Sequence, residues 1–228
     1  MQIHGLEKLS LVDFNDLPCA TVFTGHCNFR CPFCHNAALV LDPASQPIIP
    51  EEEIFSYLAK RRGILDGVCV TGGEPTLQAD LADFLRKVKS MGFLVKLDTN
   101  GSRPEVLRAL VEEKLVDYVA MDVKNSFEKY ETTAVFQNLA PIKESIAYLL
   151  TNAVPYEFRT TLIAEYHTAE DMEKIAQAVA GCPKFFLQKF TDRGGCIEKN
   201  LTEVPLDTAK QWADILAKTV GTVKLRSY

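Results

Sequence analysis

Short apolar runs alternate with amphipathic segments along almost the whole chain of 228 residues. Apolar runs of five or six residues are typical of buried strands, and apolar residues three and four positions apart are typical of helices. The alternation predicts a parallel α/β sheet or barrel, because parallel strands need a crossover segment between them. The predicted core strands are 19–24, 67–71, 93–97, 117–123, 156–163 and 185–190. The predicted helices are 51–62, 104–114, 142–151, 169–180 and 206–219, and one that buries Leu81, Phe84, Leu85 and Val88 and is capped by Gly92.

Six strand–helix units fit an incomplete (β/α)6 barrel better than a closed eight-fold barrel, which takes about 250 residues. A mixed polar and apolar segment at 6–13 predicts an N-terminal edge strand, and a short closing strand at 222–225 follows the C-terminal helix. The segment 125–141 is a long polar and aromatic connection, a kind that is often functional. With no repeat and no linker, we expect a single domain over residues 1–228 with a core at about 17–190.

The composition is that of an ordinary globular protein, with 47% hydrophobic and 24% charged residues. A net charge of −5 without a basic stripe argues against nucleic-acid binding. No run approaches the ~18 apolar residues of a membrane helix, and the start lacks the apolar core of a signal peptide. We therefore expect a cytoplasmic protein that binds neither nucleic acid nor membrane.

Three of the seven cysteines, Cys27, Cys31 and Cys34, lie within eight residues in a C-x3-C-x2-C pattern, directly after the strand at 19–24. The same spacing would suit the buried face of a helix, but Pro32 removes a backbone donor and moves Cys31 out of the helical region. The three thiols therefore belong to an irregular loop and indicate a metal site. The odd, uneven distribution of the seven cysteines favours reduced thiols over a disulfide framework.

Spacing alone leaves more than one role open for these thiols. Zinc would take four protein ligands, and His26 or His35 could complete the set. An iron–sulfur cubane usually takes four cysteines, and no fourth cysteine is nearby in the sequence. A cubane here would leave one iron open to a small molecule. A packing or redox role is the third alternative.

Polar motifs follow three further predicted strands, at the ends where parallel α/β folds collect their chemistry. They are GGEP at 72–75, DTNG at 98–101, and the pair Asp122 and Lys124. The glycines would let the backbone approach a ligand, and Glu74 could accept a hydrogen bond from an ammonium group. Each motif also has a plain structural interpretation: a turn for GGEP, a turn for DTNG, and a salt bridge for Asp122 and Lys124.

The segment CNFRCPFC at 27–34 resembles the C-x3-C-x-(aromatic)-C signature of the radical SAM enzymes, with Phe33 as the aromatic residue. The order of the four motifs resembles the glycyl-radical-enzyme activating enzymes of the pyruvate formate-lyase activase group. The opening of the chain is most similar to anaerobic ribonucleoside-triphosphate reductase activating proteins. The resemblance spans roughly residues 5–190 and implies the incomplete radical SAM barrel.

This resemblance implies two cofactors, a [4Fe-4S] cluster and S-adenosyl-L-methionine. It implies Cys27, Cys31 and Cys34 as the metal ligands. The implied cofactor-binding residues are Phe33, Gly72, Gly73, Glu74, Asp98, Asp122, Lys124 and Arg159. Among these, Glu74 and its glycines would hold the amino group, and the two aspartates and Lys124 would lie near the ribose, the methionine and a possible cation. Arg159 would meet the carboxylate, with a structural salt bridge as the alternative.

The implied activity is reductive cleavage of S-adenosylmethionine followed by hydrogen abstraction from a glycine Cα of a partner glycyl radical enzyme, closest to anaerobic ribonucleotide reductase. The electron would come from a donor such as flavodoxin or ferredoxin. The segments 125–141 and 192–196 are candidate docking elements, and we expect Cys196 to be a lone exposed thiol. Two alternatives stay open: a radical SAM enzyme acting on a small molecule or another peptide, and a non-catalytic zinc-binding module.

Overall fold

The computed structural model describes residues 1–15, 17–192 and 194–228. These residues divide into two compact units, one made of 1–27, 38–99 and 103–119, and the other of 28–37, 100–102 and 120–228. The expectation of a single domain stays a prediction. Within the loop predicted at 192–196, Arg193 lies outside the described residues.

Strands and helices alternate through the described chain, as predicted. The strands are β1 (Ile3–Ser10), β2 (Cys19–Thr24), β3 (Gly67–Gly72), β4 (Leu94–Thr99), β5 (Tyr118–Asp122), β6 (Tyr156–Leu162), β7 (Phe185–Lys189) and β8 (Val223–Arg226). The helices are α1 (Ala37–Leu41), α2 (Glu51–Ala59), α3 (Leu81–Ser90), α4 (Pro104–Glu112), α5 (Tyr130–Thr133), α6 (Ala140–Leu150), α7 (Ala169–Ala178) and α8 (Leu206–Leu216). In the described ranges no helix is long and apolar enough to span a bilayer.

The first unit is built around β1 to β4. β1 runs antiparallel to β2, and β2, β3 and β4 are parallel to one another. The strand centres form the core of this unit, and Val22, Val70 and Leu97 are fully buried there. The four apolar residues predicted for α3 are all buried, so this helix packs its apolar face inward as its periodicity predicts.

The second unit contains β6, β7 and β8, which are parallel. In the described chain β8 pairs only with β7, and in the first unit β1 pairs only with β2. Both are therefore edge strands. Helix α7 begins with a capping box, in which the Thr168 side chain accepts from the Asp171 amide and the Asp171 carboxylate accepts from the Thr168 amide.

The α/β fold class and all six core strands are confirmed, with two corrections. Strand β4 continues through Asp98 and Thr99, which we predicted to lie in a turn, because both side chains find buried polar partners. The segment 125–141 is more structured than predicted: it contains α5, and α6 begins at Ala140. Pro141 lies in the first turn of α6, where its missing N–H costs no helical hydrogen bond.

A partly buried ion pair links β8 to β6 within the second unit. The Glu157 carboxylate on β6 is fully buried and accepts a hydrogen bond from Arg226 Nη1 at 3.2 Å. The Arg226 guanidinium also lies over the Phe186 ring of β7, 3.9 Å from its centroid. One side chain of β8 thus contacts both preceding strands.

Replacing Arg226 with Ala should lower the free energy of unfolding by about 3 kcal/mol, because the Glu157 carboxylate stays buried with less compensation. Urea denaturation is the measurement. Lys224→Ala is the matched control, since it removes an exposed cation from the same strand and should change stability by less than about 0.5 kcal/mol. Equal effects of the two substitutions would contradict this account of β8.

Candidate active site

The cysteine loop follows β2, and the GGEP motif contacts the backbone of residues 24–26, where the loop begins. The Gly73 amide donates to the Thr24 carbonyl at 2.8 Å, and the Glu74 amide donates to the His26 carbonyl at 2.7 Å. A Cβ atom on Gly73 would lie 1.9 Å from the His26 oxygen, so only glycine fits there. Gly72 has φ of 119° and is equally confined by Thr24. The two glycines therefore let two stretches of backbone touch immediately before Cys27.

Glu74 is almost completely buried, at 1% exposure. Three donors converge on its Oε1 atom: the Thr76 amide at 3.2 Å, the Thr76 hydroxyl at 2.6 Å and the Thr99 hydroxyl at 2.7 Å. The structure thereby joins the GGEP motif to the DTNG motif. Sequence reasoning missed Thr99, although the motif that contains it was noted.

Asp98 has a buried cationic partner that the sequence reasoning also missed. Lys96 Nζ lies 2.5 Å from Asp98 Oδ1, and the lysine side chain is 2% exposed. Residues two apart on a strand share a face, and the register places Cys69 beside Lys96, with 3.9 Å between Nζ and Sγ. A lysine inside an apolar strand, two residues before an aspartate, was the signal available in the sequence.

Cys31 and Cys34 belong to the second unit and form a turn in which the Cys34 amide donates to the Cys31 carbonyl at 3.0 Å. Burial raises the pKa of Cys31 to about 11, and the positive charge of Lys124 partly offsets this effect. Burial also raises the pKa of Cys34, and a hydrogen bond with the Asn36 backbone and the positive charge of Lys124 partly offset this effect. Phe33, which lies between the two cysteines in the sequence, is buried. Its ring packs against Tyr166, with 6.3 Å between the ring centroids.

Asp122, Lys124 and Arg159 come together in the second unit. Asp122 accepts from Arg159 Nε at 2.9 Å through Oδ1 and from Lys124 Nζ at 2.9 Å through Oδ2. Burial by itself would raise the pKa of Asp122, but Arg159 and Lys124 hold it well below its usual range. The salt bridge that we weighed for these residues is therefore present. Two cations on one carboxylate leave the group with a net charge of +1.

A chain of amides in the second unit joins the cysteine loop to the DTNG motif. Asn100 Nδ2 donates to Asn28 Oδ1 at 2.9 Å, and Asn28 Nδ2 donates to the Ser102 hydroxyl at 2.8 Å. The Ser102 amide donates back to Asn100 Oδ1 at 2.9 Å. We did not predict these contacts, because nothing in the separate motifs indicates which amides will meet.

The expectation for Cys196 was wrong: its side chain is 4% exposed, and burial raises its pKa. The residues that follow Cys196 contact the cysteine loop, since the Glu198 amide donates to the Pro32 carbonyl at 2.8 Å. His35, one of the two candidate zinc ligands, lies with Nε2 2.9 Å from the Thr191 carbonyl oxygen and stacks on Phe190. The other, His26, is exposed.

Among the described residues, no group of three or more His, Cys, Asp or Glu side chains is gathered closely enough to hold a metal ion. The set of Cys27, Cys31 and Cys34 as ligands therefore stays a prediction. The cofactor roles of the other site residues are likewise untested by these contacts.

A model of the radical SAM superfamily matches residues 21–179, which is more than half of the chain. The chain belongs to the radical SAM superfamily. It is 34% identical over 99% of its length, and 95% of the relative's, to a protein of Methanocaldococcus jannaschii described as a candidate glycyl-radical enzyme activating enzyme. It is also 26% identical to the pyruvate formate-lyase-activating enzyme of Listeria monocytogenes, over 80% of this chain and 77% of that one.

A solved structure supports the same fold. Streptococcus suis SuiB bound to S-adenosylmethionine superimposes with a TM-score of 0.70 at 12% identity, over 89% of this chain and 48% of SuiB. At this identity the likeness shows the fold alone. Together with the family match, it confirms the radical SAM fold predicted from the sequence. The 34% identical relative makes this chain a homologue of radical SAM activating enzymes. The cysteine loop falls inside the matched region, which favours the iron–sulfur cluster over the zinc module.

Replacing Gly73 with Ala should displace the His26 carbonyl and lower the free energy of unfolding of this radical SAM protein by about 2 kcal/mol. Thermal and urea denaturation of the cluster-free protein are the measurements. Gly5→Ala is the matched control, because an added Cβ would meet only the Phe23 side chain, at 3.2 Å. A Gly73→Ala protein as stable as the control variant would contradict the tight contact.

Replacing Asp98 with Asn should cost about 3 kcal/mol of unfolding free energy, because it leaves the buried Lys96 ammonium beside a neutral amide. Lys96→Met should cost clearly less, since the carboxylate that it leaves is 13% exposed. Asp83→Asn is the control, because that carboxylate is 74% exposed in a surface ion pair with Arg86. Urea denaturation of all three variants measures the order, and a larger loss for Lys96→Met would refute it.

Proposed function

We propose that this protein is an activating enzyme that generates a glycyl radical in a partner enzyme. The observation that carries the proposal is its similarity, over nearly the full length of both chains, to a candidate glycyl-radical enzyme activating enzyme. The strand-end motifs support it, since GGEP and DTNG meet at Glu74 and Thr99 within one unit.

In this proposal Cys27, Cys31 and Cys34 hold a [4Fe-4S] cluster. All three are thiols rather than disulfides, and thiolates are the ligands that iron–sulfur clusters prefer. The sequence of the loop contains three cysteines, Cys27, Cys31 and Cys34, so it offers three thiolates. Three thiolates would leave the fourth iron of the cluster for S-adenosylmethionine. When bound, the reduced cluster supplies one electron to the sulfonium of S-adenosylmethionine.

The strand-end motifs would bind different parts of S-adenosylmethionine. Gly72 and Gly73 would allow the backbone to approach the ligand, and the buried carboxylate of Glu74 would favour an ammonium group. Asp98 would contribute a second carboxylate, held in place by Lys96.

The group of Asp122, Lys124 and Arg159 has a net positive charge and would favour an anionic group, such as the methionine carboxylate. Phe33 would supply an apolar surface between two cluster ligands. These assignments give the chain the tasks of orienting the cofactor and excluding water.

The partner in the proposal is a glycyl radical enzyme, most specifically an anaerobic ribonucleoside-triphosphate reductase. The electron donor would be a flavodoxin or a ferredoxin, and both proteins would be met in the cytoplasm. The segment 125–141 and the loop at 192–196 are the proposed docking elements.

The first test is reconstitution of the protein with iron and sulfide without oxygen, reduction with dithionite and addition of S-adenosylmethionine. We expect about four irons per chain and release of 5′-deoxyadenosine and methionine. Cys31→Ala should lose the iron and the cleavage. Cys182→Ala is the matched control, since it removes a buried thiol that lies outside the cysteine loop and should retain both. Stoichiometric zinc without iron would refute the proposal.

The second test identifies the class of partner. Incubation with an anaerobic ribonucleotide reductase should produce a glycine-centred radical that is visible by paramagnetic resonance on the partner chain. Cleavage of S-adenosylmethionine without a radical on any glycyl radical enzyme tested would favour a small-molecule or other peptide substrate.

A further inference from the structure

Both backbone polar groups of Lys124 are bound by side chains. The Lys124 amide donates to the Tyr130 hydroxyl at 3.0 Å, and the Lys124 carbonyl oxygen lies 2.9 Å from His167 Nε2. Strand β5 ends at Asp122, so Lys124 lies beyond its hydrogen-bond ladder. A buried backbone group without a partner is costly, and these two side chains supply the partners.

The Lys124 carbonyl indicates a proton on His167 Nε2, since a carbonyl oxygen can only accept and lies 2.9 Å away. Nδ1 lies 3.1 Å from the Ile163 nitrogen and 3.2 Å from the Ile163 carbonyl oxygen. Burial lowers the pKa of His167, which keeps the ring neutral. This neutral imidazole therefore holds the Lys124 backbone through its Nε2–H group.

Tyr130 touches the cysteine loop as well as Lys124. Its ring is fully buried and meets Phe29 edge to face, with 6.4 Å between centroids. Phe29 lies between Cys27 and Cys31 in the sequence. At the end of the same short helix, the Ala134 carbonyl accepts from the Arg30 amide at 3.0 Å. Helix α5 is thus packed on the cysteine loop through one side and on the end of β5 through the Tyr130 hydroxyl.

The side chain of Lys124 belongs to the proposed cofactor site, and its backbone is held by the two hydrogen bonds described above. Its ammonium group shares Asp122 with Arg159, and its charge acts on Cys31 and Cys34. A small displacement of the Lys124 backbone would move this ammonium away from Asp122 and leave the carboxylate to Arg159 alone. The position of the cationic group therefore depends on the two backbone contacts.

We propose that Tyr130 is a positioning residue, whose hydroxyl and ring hold Lys124 and the cysteine loop in a common arrangement that binds S-adenosylmethionine. His167 holds the same Lys124 peptide from its carbonyl side. This inference rests on the proposed function, because it takes Lys124 as part of the cofactor site. It assigns to the segment 125–141 a role inside the site in addition to any docking role.

The test compares Tyr130→Phe with Tyr156→Phe. Both remove one buried hydroxyl from the second unit and keep the ring. The Tyr156 hydroxyl is the matched control because it is buried and has no hydrogen-bond partner among the described residues. In the cluster-free protein, hydrogen–deuterium exchange is measured for the segment 122–126. In the reconstituted protein, S-adenosylmethionine is titrated against the paramagnetic resonance spectrum of the reduced cluster, and KM and kcat are measured for deoxyadenosine release.

We expect Tyr130→Phe to speed exchange in 122–126 and to raise the dissociation constant and the KM for S-adenosylmethionine about tenfold, as loss of one buried hydrogen bond predicts. The kcat should change by less than about threefold, and Tyr156→Phe should leave all four quantities near wild type. Unchanged exchange in Tyr130→Phe would overturn the contact. Faster exchange with unchanged affinity would reduce Tyr130 to a structural role and overturn the proposal.

A wild-type protein that binds no S-adenosylmethionine would refute the proposed function and the cofactor role of Tyr130 with it. The exchange experiment would then still decide whether Tyr130 holds Lys124, because it needs neither the cluster nor the cofactor. The two failures are therefore distinguishable.

Discussion

The close contact of two backbone segments at the root of the cysteine loop is the constraint on which the candidate site depends. The His26 carbonyl accepts from the Glu74 amide, and Gly73 has no room for a side-chain atom beside it. Because this contact sets where the chain leaves β2, it determines where Cys27 begins the loop. It also buries Glu74, whose carboxylate then needs the donors that Thr76 and Thr99 provide.

Buried charge is the second organising feature, and in each unit the buried charges pair with neighbouring opposite charges. In the first unit, Lys96 and Asp98 lie on one face of β4 and pair with each other. In the second, Asp122 is shared by Lys124 and Arg159. Removing one partner of such a group costs more than removing the whole pair, since the remaining charge stays out of water. These ion pairs therefore contribute to stability, in addition to the ligand-binding role that we propose for the residues.

The strand-end motifs were predictable because parallel α/β folds place polar residues at the carboxyl ends of strands. The strands themselves followed from apolar runs, and 19–24 was predicted to the residue. The partners of the motif residues were not predictable. Lys96 could be noticed as a lysine inside an apolar strand, but its contacts could not be predicted, and Tyr130 belongs to a segment that we expected to be a long connection. Cys196 was expected to be exposed because glycines precede it, yet the loop packs on the cysteine segment and buries it.

The sequence by itself determined the α/β alternation and the irregular cysteine loop, because apolar periodicity and Pro32 are local properties of the chain. The radical SAM family followed from the resemblance of its motifs to a known signature. Only the tertiary structure decided which buried polar groups satisfy one another. Tyr130 and His167 bind the two sides of the Lys124 peptide from positions 6 and 43 residues away. Such contacts form because a buried donor or acceptor must be paired, and the fold alone decides which side chain is within reach.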